Sequence, residues 1–175
     1  VNALVDYVDS YLRERGVQVL HYGTLDDATR ALADDAFQRR VLPVLTPLAV
    51  GPTKAFPFIS NLSLSLGAHV STGTDGDPTF TRIKVPPNRP PYLKTEDEQG
   101  PAYVALADVI RANLDLVLPG REITATSLFR VTRSAEVRRE EEVAEDLVEM
   151  IQDVLERRRK AQAVRIEVSA DMPES

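Results

Sequence analysis

The run from Phe129 to Val168 limits the possible folds more than any other stretch. Phe129-Arg130-Val131-Thr132-Arg133 is β-prone, and Val164-Arg165-Ile166-Glu167-Val168 alternates apolar with charged residues. Between them Val143, Leu147, Met150, Ile151, Val154 and Leu155 recur at helical offsets. That recurrence predicts a single apolar stripe on a helix over about 140–160. Glu140, Glu141, Glu142, Glu145 and Asp146 crowd its first half, and Arg157, Arg158, Arg159 and Lys160 its last turn, as the helix dipole favours. Such a helix is roughly 30 Å long. Its stripe requires a sheet, and the flanking strands are the nearest candidates. If those strands run parallel, the crossover is expected to be right-handed.

The rest of the chain reads as a series of short elements. Leu4, Val8, Tyr11 and Leu12 predict a helix over 2–15, with Gly16 placed to end it. Val17 to Leu20 is short and β-rich. Thr24 and Asp27 resemble a capping box opening a helix to about Arg40. Pro43 and Pro47 close that helix. Residues 41–61 form an ordered connector, because Leu42, Leu45, Leu48, Phe56, Phe58 and Ile59 are too apolar to float. Leu62, Leu64, Leu66, Ala68 and Val70 alternate with Ser63, Ser65 and Gly67, the pattern of a half-buried strand. Ser71 to Pro78 is expected to be a mobile hairpin loop. Phe80 to Val85 is its partner strand, with Arg82 and Lys84 on the opposite face from Ile83. Asn88 to Pro101 is expected to be a second surface loop, followed by a brief pairing at Tyr103-Val104-Ala105. A short helix through Leu106, Val109, Ile110 and Leu114 stops at Pro119-Gly120, and Ile123 to Thr132 is a strand. The sum is two N-terminal helices followed by β-β-α-β-α-β, an α+β fold with helices packed on a mixed β-sheet.

Composition removes several classes of function. A net charge of -6 makes nucleic acid an unfavourable partner. The absence of cysteine excludes disulfides and thiol chemistry, and suits a cytoplasmic setting. No apolar run reaches the ~20 residues of a membrane span, although peripheral membrane association stays open. The chain opens at Val1 inside a predicted helix, without a signal peptide or an initiator methionine, and reads as an excised piece.

No catalytic centre is visible. Gly51-Pro52-Thr53-Lys54 lacks the second glycine of a phosphate loop and reads as a proline turn. His21 falls in a turn, and His69 on the solvent face of its strand. Neither has a metal-ligand spacing. Asp26-Asp27 and Asp34-Asp35 are adjacent pairs that do not converge on a helix; they read as solubility and helix-start charge. Arg130, Arg133, Arg138 and Arg139 form the one cluster with chemical promise, since guanidinium forks suit phosphate oxygens. Pairing with Glu140 to Glu142 is the competing and preferred reading.

Several stretches, in order, resemble one family, the bacterial polyphosphate kinases of type 1. They are Val44-Leu45-Thr46-Pro47-Leu48-Ala49-Val50, Phe56-Pro57-Phe58-Ile59-Ser60-Asn61-Leu62-Ser63-Leu64, Arg82-Ile83-Lys84-Val85-Pro86-Pro87 and Asn113-Leu114-Asp115 with Pro119-Gly120. Phe129 to Arg133, Glu140 to Leu147, Val164 to Val168 and Met172-Pro173 complete the series. Gly51, Ala55 and Ser134-Ala135-Glu136 depart from the family pattern. The resemblance implies a parent enzyme that reversibly transfers the terminal phosphate of ATP to polyphosphate, using ATP, Mg2+ and a phosphorylated histidine. Residues 1–40 then correspond to the end of an N-terminal helical domain, and 41–175 to the middle or head domain. The family's catalytic histidines match neither His21 nor His69, so no catalytic, cofactor or metal residue is assigned, and the piece alone is expected to be inactive. The resemblance further implies a homo-oligomer through the head domain and contact with neighbouring catalytic domains. The alternative role is a polyphosphate-guiding surface through Arg130, Arg133, Arg138 and Arg139.

Overall fold

The computed structural model describes residues 2–50, 57–71, 79–97, 100–134 and 161–172. Helix α1 spans Asn2–Arg13. Gly16 ends it with φ 71°, the left-handed conformation a glycine adopts without a Cβ clash. The Val17 amide then donates to the Leu12 carbonyl at 3.0 Å. Strand β1, Gln18–Leu20, follows, then a single tight turn at Tyr22–Thr24 and helix α2, Asp27–Ala36. The α2 cap differs from the expected Thr24–Asp27 box. Asp26 is the cap residue, and its carboxylate accepts from the Thr29 amide at 2.7 Å and the Thr29 hydroxyl at 2.8 Å. Thr24 is spent elsewhere, donating to the His21 carbonyl within its own turn. A wide turn at Phe37–Val41 and a tight one at Leu42–Val44 carry the chain past Pro43.

The remaining elements are β2 (Leu48–Val50), β3 (Leu64–Ser71), β4 (Thr79–Lys84), β5 (Tyr92–Asp97), β6 (Gly100–Ala105), α3 (Leu106–Ala112), α4 (Leu114–Val117), β7 (Glu122–Arg133) and β8 (Ala163–Val168). The fold is α+β, with its strands divided between two sheets. The smaller has the order β1-β6-β5, with β1 parallel and β5 antiparallel to β6. The larger has the order β2-β4-β3-β7-β8 and is antiparallel throughout. The stretch 88–101, expected as a loop, contains β5. That strand follows Pro90-Pro91 and lies at a sheet edge, where polar residues are tolerated because one side faces water. The expected helix over 140–160 lies outside the described residues. The strands that flank it are neighbours, as expected, but antiparallel, so no crossover handedness applies to them.

One core joins both sheets. Leu66, Ala68, Val70 and Ile83 from the large sheet meet Phe37 and Val41, Val104 of β6, and Leu106, Val109, Ile110, Leu114 and Val117. Residues on either side of position 40 therefore share this core, and β1 pairs with β6. The other face of β3 is covered too, which the half-buried pattern did not anticipate. Ser65 and Gly67 are buried on that second face beside Phe80 and Phe129, whose ring centroids lie 6.2 Å apart. A Cβ built on Gly67 would sit 2.7 Å from the Phe80 ring. β3 also begins at Leu64 and not Leu62, because Leu62 takes φ 58° in the turn that enters the strand.

Two outcomes follow. Gly67→Ala lowers stability by about 1–3 kcal/mol, because the methyl must displace an aromatic ring wedged between neighbours; chemical denaturation measures it, and an unchanged midpoint would show that the Phe80 ring yields freely. The Thr29 amide and hydroxyl hold the Asp26 carboxyl below its usual pKa of 3.8. A carboxyl with a lowered folded pKa contributes stability above its unfolded pKa and loses it as pH falls through the folded one. Asp26→Asn keeps a cap-competent side chain that does not titrate, and therefore flattens the stability profile between the unfolded and the folded pKa, as thermal melts across the acid range will record.

Candidate functional site

The described part of the arginine cluster lies where β7 and β8 meet. Arg130 stands opposite Glu167 across the strand pair, and its Nε donates to Glu167 Oε2 at 2.8 Å. That bond raises the Arg130 pKa and lowers that of Glu167. The second oxygen of Glu167 lies 3.1 Å from Arg165. The partner of Arg130 is thus Glu167. Glu140 to Glu142, the partners expected from sequence, lie outside the described residues, as do Arg138 and Arg139.

Arg133 has a different role. Its Nε donates to the Ile59 carbonyl at 2.8 Å and its Nη1 to the Ala161 carbonyl at 2.6 Å. Its guanidinium carbon lies 4.5 Å from the centroid of the Phe58 ring, a cation–π distance. Its backbone amide donates to Asn61 Oδ1 at 2.8 Å. One residue thereby ties the Phe58–Asn61 segment to β7 and to the chain entering β8. The Leu62 amide adds a 2.8 Å bond to the Val131 carbonyl.

Arg82 repeats the theme from β4, and sequence reasoning missed it. Alternation placed it on a polar strand face, yet it is only 4% exposed. Its Nε donates to Ser65 Oγ and its Nη1 to the Phe58 carbonyl, both at 3.1 Å. Among the described residues Nη2 finds no hydrogen-bond partner. Burial pulls its pKa below the ordinary guanidinium value. The available signal was the apolar Phe58-Ile59 pair upstream, which needs a cover and two carbonyl partners. Chemically, these arginines bind backbone oxygens and fix loop geometry.

The remaining sequence candidates are separate from this joint. His69 is half-buried, its ring edge-on to Phe80 at 5.7 Å, and not on a solvated face as expected. The covered second face of the sheet is the reason. His21 is exposed, and its carbonyl closes the Tyr22–Thr24 turn. Asp34 is more than surface charge. It accepts from the Tyr22 hydroxyl at 2.7 Å and from Asn113 Nδ2 at 2.8 Å, pinning α2 to the break between α3 and α4. Burial, and then this carboxylate, raise the Tyr22 pKa. Asp35 pairs with Arg39 at 2.7 Å, and Asp27 lies 3.4 Å from Arg30. Gly51 to Lys54 fall outside the described residues. Among the described residues, no three His, Asp or Glu side chains cluster as metal ligands would.

Comparison with known proteins adds the following. The profile of the polyphosphate kinase middle domain matches residues 28–175. A polyphosphate kinase of Mycolicibacterium gilvum is 40% identical over 178 residues, covering 99% of this chain and 24% of that protein. One from Mycobacterium ulcerans is 40% identical, covering 97% of this chain and 24% of that protein. The chain therefore spans about a quarter of the length of these relatives. The crystal structure of a polyphosphate kinase from Porphyromonas gingivalis superposes with a TM-score of 0.68 at 23% identity, covering 75% of this chain and 21% of that one. At that identity the likeness speaks for the fold.

Arg133→Ala is expected to cost about 2–4 kcal/mol, because two carbonyls lose charged donors at once. Arg133→Lys recovers little of it, since an ammonium cannot serve both carbonyls and stack on a ring. Urea denaturation of the two variants checks this; full stability in the alanine variant would mean that the guanidinium is not the fastener.

Proposed function

Because this chain belongs to the polyphosphate kinase family and carries its middle domain, we propose that it is the non-catalytic head of an enzyme that reversibly transfers the terminal phosphate of ATP to polyphosphate, and that its own task is assembly. In this reading the reacting histidines and the sites for ATP and Mg2+ belong to other parts of the parent enzyme. The carrying observation is the exposed apolar margin of the large sheet. Val164, Ile166 and Val168 of β8 are exposed, and so is Leu48 of β2 at the opposite edge. Solvent-facing apolar residues grouped on a strand are a common mark of a contact surface. The arginines support assembly as well, since Arg133 and Arg82 hold the Phe58–Asn61 segment in place and Arg130 is matched by Glu167.

A polyphosphate-guiding role has one observation in its favour. The Arg165 side chain is 68% exposed beside Arg130 and Glu167, and Arg138 and Arg139 follow in sequence. The two roles part in solution. Assembly predicts a mass that rises with concentration in light scattering and is insensitive to polyphosphate. Guiding predicts polyphosphate binding at low salt that collapses as salt is added, because condensed counterions are released. A strict monomer at high concentration that binds the polymer tightly would reverse the assignment.

A further inference from the structure

Strand β8 is an edge strand whose outer side has no neighbour among the described strands. Five of its six residues are exposed. Edge strands usually carry a defence such as prolines or a row of lysines. β8 has neither. Its sequence from 164 to 168 is Val-Arg-Ile-Glu-Val, which reads alike from both ends except that arginine answers glutamate. This pattern has a consequence for self-pairing. In an antiparallel pair centred on Ile166, Ile166 meets Ile166, Val164 meets Val168, and Arg165 meets Glu167 of the second copy. Every apolar residue faces an apolar one and every charge an opposite charge, twice over by symmetry. Cross-strand pairs of these kinds stabilise a sheet, and a two-fold interface requires this self-complementarity.

We propose that β8 is a self-pairing seam, at which two copies of this chain join their five-stranded sheets edge to edge, antiparallel and centred on Ile166. This rests on the assembly reading and names its surface. The seam also continues an apolar band. Ile166 and Val168 share the sheet face of Val131 and Phe129, so joining two copies extends that face across both. A register shift at Ala163 opposite Arg133 ends the regular stretch, which confines the seam to 164–168. Five residues a side fall short of the ~1,200 Å² that marks a stable specific interface. The seam alone therefore gives weak, concentration-dependent association.

The chain contains no cysteine, so single cysteines report the register without ambiguity. Ile166→Cys is expected to cross-link to its own kind on oxidation or with a short bis-maleimide. Ala163→Cys is not, because the seam would hold its two copies roughly 20 Å apart at 3.3 Å per residue. Arg165→Glu is expected to weaken self-association about tenfold, as two attractive pairs become repulsive. Mixing it with Glu167→Arg restores association, because each charge again meets its opposite; melting curves confirm that both variants fold. A dimer in which Ile166→Cys fails to cross-link and Arg165→Glu changes nothing overturns the seam and leaves assembly standing, with another surface or another occupant of β8 responsible. Cross-linking of Ala163→Cys as efficient as that of Ile166→Cys likewise overturns the register. A chain monomeric at every concentration overturns both readings.

Discussion

β3 runs through the middle of the five-stranded sheet with both of its sides covered, and much of the structure answers to that. On one side Leu66, Ala68 and Val70 enter the shared core. On the other, the close approach of the Phe80 ring leaves no room for a side chain at 67, so glycine stands there. Ser65 is buried beside it and needs a partner, since an unbonded hydroxyl in an apolar setting is costly. Arg82 supplies the bond. That choice brings a guanidinium under cover in turn, and it must find further acceptors. The Phe58 carbonyl is the one it reaches among the described residues, so the position of the segment entering β3 and the position of a charge on β4 are linked.

The same logic explains why arginine recurs where the chain changes direction. Loop carbonyls brought to the end of a sheet have no ladder to join, and a buried acceptor without a donor is unfavourable. Arg133 meets this need at Ile59 and Ala161 together, while its flat face covers Phe58. A lysine in that place has no planar face and no fixed fork. Arg130, three residues earlier, has a carboxylate partner in an exposed strand pair, which is worth little to stability in water. Proximity in sequence therefore groups residues that perform different work.

Local chemistry made much of the fold legible. The αL glycine at 16, the alternation over Leu64 to Val70 and the halt at Pro119-Gly120 each depend on neighbours a few residues away. What stayed hidden depends on distant ones. Ser65 and Gly67 look like solvent positions until Phe80 and Phe129 are brought over them. β5 looks like a loop because an edge strand has no need of an apolar pattern on both faces. Asp34 reads as surface charge because Tyr22 and Asn113 reach it only after the helices pack. The cap of α2 falls at Asp26 and not at Thr24, because the Thr24 hydroxyl is already committed to the His21 carbonyl in its own turn. Sequence reasoning groups Arg130 and Arg133 as one cluster, for polyanion contact or for pairing with Glu140 to Glu142, whereas the structure gives them separate partners. Their acceptors, 37 and 74 residues away for the two Nε atoms, leave no periodic trace in the sequence.

The two edges of the large sheet place different demands on the chain. β2 is three residues long and is flanked by Pro47 and Pro52, so it offers little ladder to a neighbour. β8 is twice that length, lacks proline and is apolar at alternate positions. A strand with no outer neighbour among the described strands, in a chain with a net charge of only -6, risks unspecific pairing unless its own sequence selects a register. Opposite charges at 165 and 167 make that selection. In an antiparallel pair, a slip by two residues from the Ile166-centred register sets Arg165 against Arg165 or Glu167 against Glu167. The charges thus act against wrong registers as well as for the right one, and a specific interface needs both.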